Sequence, residues 1–156
     1  MRGAEGLVRQ AVESVLSALA PGDAAQVVAF DHARTPFDGD GGRFLAPSPE
    51  LVAQALAHLE ACPPRGGSEL EDALGLSAKI PARPERTRVV VLVSDVAVAN
   101  EGRLLRRLPE LLGPGARLFV LAVGPSADRR LARRLARLGG GAMEAAVGAF
   151  VTVFAI

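Results

Sequence analysis

The chain reads as an α/β protein, a mainly parallel sheet with helices on both faces. Three observations carry this expectation. Continuous apolar runs of strand length alternate with stretches of helical periodicity. The runs are apolar throughout and not alternating, as in strands covered on both faces. No linker or repeat interrupts the order, so one domain over residues 1–156 is expected.

The elements follow in turn. Val8, Ala11, Val12, Val15, Leu16 and Leu19 fall at helical spacing, so a first helix is expected from about Gly6 to Leu19, stopped by Pro21-Gly22. Ala25 to Phe30 reads as a buried strand. Thr35-Pro36-Phe37 reads as an edge strand, because proline cannot donate to a ladder. After the Gly/Asp turn at 38–42, Ser48-Pro49 opens a second helix with a capping hydroxyl and proline at the first helical position. Ser68-Glu69-Leu70-Glu71 has the spacing of a capping box for a third helix. Thr87 to Ser94 is the strongest strand signal and is expected at the centre of the sheet. A helix over 102–112 follows, with a kink expected at Pro109. A strand is expected at 117–123, an amphipathic helix at 128–138 and a last strand near 142–147. One feature is anomalous: the pattern starts on a helix, with no strand before it.

Composition excludes several classes. Hydrophobic residues make up 49% and charged residues 22%, which is ordinary for a globular protein and unlike a disordered one. The formal net charge is +1, so no global field favours nucleic acid. The absence of Trp and Tyr removes the usual stacking residues for single strands. No apolar run reaches the roughly 20 residues of a membrane helix, and no signal segment is visible. Cys62 is the single cysteine, which excludes an intrachain disulfide or a cysteine zinc site and reads as an inert thiol. Lys79 is the single lysine; the arginine, alanine, glycine and proline bias is that of a GC-rich bacterial genome.

Ligands of open α/β sheets bind beyond the carboxyl ends of the strands. Asp31, Asp95 and Ser126 occupy such positions, and Ser68 joins them if its helix packs nearby. Asp95 ends the most apolar strand; it is either a metal ligand or acid/base group, or the cap of the following turn. Ser68, after Gly66-Gly67, presents its hydroxyl to a ligand or caps its helix together with Glu71. His32 and His58 have no ligand spacing and are read as non-catalytic. The arginines from Arg129 to Arg137 read as a solvated helix face, with an acidic partner as the alternative. No phosphate-binding glycine loop or nucleophile elbow occurs, and Gly139-Gly140-Gly141 ends a helix.

The element order, with Gly66-Gly67-Ser68 and the stretch Val89 to Gly102, resembles the von Willebrand factor A domain. Ser94 to Glu101 (SDVAVANE) is similar to the T-D-G-A-V-G-N-E stretch of the group related to inter-alpha-trypsin inhibitor heavy chains. The resemblance implies a protein-binding module, not an enzyme, whose metal-ion-dependent adhesion site holds Mg²⁺ and is completed by a partner carboxylate. Ser68 matches the family's threonine ligand and Asp95 its aspartate. The family's Asp-x-Ser-x-Ser and the strand before it are missing, because Met1-Arg2-Gly3 resembles the stretch just after them; the domain is expected to be truncated at its N-terminus. Val96 and Ala99 stand where the family has glycines, and the apolar tail over 150–156 departs from its polar continuation. With one carboxylate and one hydroxyl left, Mg²⁺ should bind weakly. The missing strand lies centrally in the family, so its neighbours should lose a row of backbone partners. The competing readings are a small α/β enzyme or nucleotide-binding domain using Asp95 at the switch point, and a gene fragment without independent function. The DNA upstream of Met1 discriminates the last: an in-frame Asp-x-Ser-x-Ser after an apolar strand would mark a truncated start.

Overall fold

The computed structural model describes residues 5–30, 34–37, 43–62, 70–81 and 85–146. Five helices and five strands lie within them: α1 (Glu5–Ser17), β1 (Val28–Phe30), β2 (Arg34–Pro36), α2 (Pro49–Ala61), α3 (Leu70–Lys79), β3 (Val89–Ser94), α4 (Glu101–Leu112), β4 (Arg117–Val123), α5 (Arg129–Leu138) and β5 (Met143–Ala146). β3, β4 and β5 form a parallel sheet in chain order, with Val89 opposite Arg117 and Val120 opposite Met143. The α/β class and the helices on both faces are as expected from the sequence.

The even-numbered positions of β3 and β4 point into the larger core. Leu92, Leu118, Val120 and Ala122 meet α3, α4 and α5 there, through side chains such as Leu74, Leu104, Leu108, Leu131 and Leu135. The odd-numbered positions Val93, Leu121 and Val123 face α1, where Ala11 is buried and Leu7 and Val8 are half-buried. α1 in turn packs on α2, and Arg9 pairs with Glu60 across them.

Local chemistry accounts for the helix boundaries. Ser48 accepts a hydrogen bond from the Leu51 N–H at 3.1 Å, and Pro49 occupies the first turn, where its missing N–H costs nothing. α4 runs through Pro109 to Leu112 and stops at Gly113 (φ +77). α5 ends in a Schellman arrangement: the Gly140 N–H reaches Arg137 and the Gly141 N–H reaches Ala136, with Gly140 at φ +66. A Cβ on Gly141 would lie 2.2 Å from the Leu118 carbonyl oxygen, so this turn must be glycine for α5 to press on the start of β4.

The N-terminal strands depart from expectation. Ala25 to Phe30 was expected in the parallel sheet, but only Val28–Phe30 is strand, and it pairs antiparallel with β2 in a separate two-stranded sheet. Ala25 makes an isolated antiparallel bridge with Leu45. A run of five apolar residues in six specifies an extended segment, half-buried here, but not its partner, and among the described residues β3 has no strand on its outer side. On the α1 face, Val89 and Val91 are 54% and 38% exposed at the amino end of β3. Among the described residues, the strand expected at the centre of the sheet has one strand neighbour, β4. The first helix is Glu5–Ser17, two residues shorter at its end than expected, and the last strand is Met143–Ala146.

Candidate functional site at the carboxyl end of the sheet

The loop after β3 is held by short-range polar contacts. Ser94 is buried, and its Oγ accepts a hydrogen bond from the Val96 N–H at 3.0 Å. Asp95 is half-buried. Among the described residues, its Oδ1 receives a single long contact, from the Ala97 N–H at 3.4 Å, while its backbone carbonyl accepts from the Asp128 N–H at 2.9 Å. That second bond ties the end of β3 to the start of α5. Asp128 itself caps α5, its Oδ1 accepting from the Leu131 N–H at 2.8 Å. Asn100 caps α4 in the same way through the Arg103 N–H at 3.0 Å. The Asp95 carboxylate is thus the least engaged acid of this loop system.

Val96 is fully buried and has φ +58. A β-branched residue in the left-handed region is a genuine outlier, costing on the order of 1–3 kcal/mol. The family resemblance puts this valine at a glycine position. The backbone keeps a glycine-like conformation there, and the side chain joins the core of α3, α4 and α5.

Of the other sequence-derived candidates, Ser126 is exposed in the turn that leads from β4 to α5, at the same end of the sheet as Asp95. Asp31, His32, Ser68 and the Gly66-Gly67 pair lie outside the described residues. Glu71, read as the partner of Ser68 in a capping box, engages α4, with its Oε2 2.7 Å from Arg107 and 3.3 Å from Arg103. His58 is half-buried with its ring edge-on to Phe37, centroids 5.7 Å apart, and Cys62 is a half-buried thiol at the end of α2. Asp128 was read only as a helix start. Its amide tie to Asp95 links residues 33 positions apart and leaves no signal in local sequence.

The donor chemistry at this end is hard oxygen, which suits Mg²⁺, but the number of donors does not. Among the described residues no three His, Cys, Asp or Glu side chains cluster as a metal site would require. Nor does any described buried side-chain polar atom lack a hydrogen-bond partner.

A parallel sheet flanked by helices, with its least engaged acid on the loop after an apolar strand, defines the α/β ligand-end architecture. The chain belongs to the von Willebrand factor type A domain family, whose family model matches residues 1–145. Solved structures agree on the fold. An aerotolerance-related membrane protein from Bacteroides fragilis aligns with a TM-score of 0.72 at 15% identity, over 91% of this chain and 80% of that one. The conserved hypothetical protein BatB from Bacteroides thetaiotaomicron gives 0.72 at 12% identity, over 93% and 80%. A von Willebrand factor type A protein from Catenulispora acidiphila gives 0.76 at 16% identity, over 92% of this chain but 34% of its own length. A search of curated protein sequences returns no significant match.

Proposed function

We propose that this chain is a non-enzymatic protein-interaction module of the adhesion type, making contact through the sheet end that carries Asp95. The single observation behind this reading is the Asp95 carboxylate, half-buried and held by its backbone to α5, with one long contact to its side chain among the described residues. An acid fixed in place yet so lightly engaged is suited to an external ligand. Ser68 and Asp95 are the residues assigned to metal. Mg²⁺, when bound there, supplies a positive charge that a partner carboxylate completes. Two oxygen donors hold it weakly, and further donors must come from outside this pair. Among the described residues β3 has no strand on its outer side, which leaves room for a sheet completed by a strand outside them. The similarity of Ser94 to Glu101 to the group related to inter-alpha-trypsin inhibitor heavy chains supports membership of that subgroup in this reading.

Titration calorimetry with Mg²⁺ tests the assignment. The expected result is binding weaker than micromolar that disappears in Asp95→Ala. Micromolar or tighter binding, or binding that survives Asp95→Ala, would move the site elsewhere. The same protein should turn over neither phosphate nor acyl esters, since among the described residues no nucleophile and base are paired. Turnover lost in Asp95→Ala would establish the enzyme reading instead.

A further inference from the structure

Charge is unevenly distributed along this nearly neutral chain. Residues 1–100 carry nine Arg or Lys against thirteen Asp or Glu, a net of −4; residues 101–156 carry nine against four, a net of +5. Much of the excess lies on α5. Its apolar side, Leu131, Ala132, Leu135 and Ala136, is buried, which fixes the helix and aims five arginines outward. Arg130 and Arg134 share one acid, Glu101 of α4, at 2.7 and 2.9 Å. That hydrogen bond, reinforced by the negative charge, holds the Arg130 guanidinium above its usual pKa. Arg129, Arg133 and Arg137 are exposed, and no acid pairs with them among the described residues.

These three stand at i, i+4 and i+8, so they form one row about 12 Å long with steps of about 6 Å. We infer that this arginine row is a docking surface for an acidic, extended segment of a partner polypeptide. Alternate residues of an extended chain are about 6.6 Å apart, so a segment with Asp or Glu at every second position offers its carboxylates in step with the row. A guanidinium also accepts a carboxylate in a two-point fork, which a lysine ammonium cannot do. The row starts beside Asp128, whose amide holds the Asp95 carbonyl, and runs away from that end. It stands whether or not Asp95 binds a metal. A lipid surface fits less well: α5 has no aromatic residue, Leu138 is its one exposed large apolar side chain, and Glu101 lies on its flank.

Fluorescence anisotropy with a labelled peptide of alternating Glu and Ser, about twelve residues long, tests the inference against the full 156-residue protein. The expected result is binding that weakens with salt and falls about tenfold or more in R129Q/R133Q/R137Q. The lysine triple at the same positions should retain part of the affinity, because charge remains while the fork is lost. R9Q/R86Q/R117Q removes the same charge elsewhere on the surface and should change affinity less than about twofold. An equal loss in that control would reduce the effect to net charge and overturn the inference. So would row-dependent binding to phosphatidylserine vesicles without peptide binding, which would assign the row to a membrane. Unchanged thermal unfolding of the glutamine triple confirms that the loss is one of binding. If that triple unfolds at a lower temperature, the lysine triple carries the comparison. Binding by the lysine triple indistinguishable from the parent would then overturn the role of the fork.

Discussion

The two faces of the parallel sheet are closed to different degrees. Among the described residues, the face toward α3, α4 and α5 holds a cluster of sixteen buried residues, whereas the face toward α1 holds three. Both are built from the same strands, so strand composition does not account for the difference. Coverage does. Three helices blanket the first face; α1 reaches only Val93, Leu121 and Val123, near the carboxyl ends, and leaves Val89 and Val91 bare. Apolar character makes a residue able to enter a core, but a core forms only where a second layer arrives.

The largest effect that sharpens this contrast is a pair of truncations. Leu135→Ala on the well-covered face should cost about 3 kcal/mol, and Leu7→Ala on the α1 face about 1 kcal/mol or less. Urea unfolding measures both, and equal costs would erase the distinction between the faces. Next comes the joint between α5 and β5. Gly141→Ala should destabilise by about 2 kcal/mol, because backbone at Leu118, and not a flexible side chain, must give way. A neutral result would mean that this turn is less tightly seated than its geometry implies.

Val96 offers a smaller and more diagnostic test. Val96→Ala removes buried methyl groups and keeps most of the left-handed strain. Val96→Gly removes one carbon more but relieves the strain. The glycine variant should therefore be no less stable than the alanine variant, within about 0.5 kcal/mol. If it were less stable by about 1 kcal/mol or more, packing rather than strain would rule this loop. The smallest effect is expected on the bare strand: Val91→Thr should shift stability by less than about 0.5 kcal/mol, as for an exposed position. A larger loss would show that something covers Val91 in solution.

The better covered face was also the more legible one. Val89–Ser94 and Arg117–Val123 were readable as continuous apolar runs of strand length, and Arg129–Leu138 by its helical period. Ser48-Pro49 and Gly139-Gly140-Gly141 were readable because capping is chemistry between near neighbours. Ala25 to Phe30 was over-extended because an apolar run does not reveal whether a strand lies beside it. At the candidate site, Asp95 was legible as an acid at a strand end. The Asp128 tie was not, because it joins residues distant in sequence. The left-handed backbone at Val96 was not legible from local preference, which argues against it; only the family's glycine at that position hinted at it.

The sheet order β3-β4-β5 repeats the chain order, and this bears on how the molecule assembles. Each parallel pairing closes a loop of about 25 residues, a small entropic demand for a parallel sheet. The segment from Val89 to Ala146 can therefore form its strand pairs early, from contacts local to itself. α1, which must return to the sheet from more than 70 positions away along the chain, is expected to join late. A late-joining helix over a thin layer is the part most prone to open from the folded state. In hydrogen exchange, amides of α1 should be released in local openings while those of β4 wait for global unfolding.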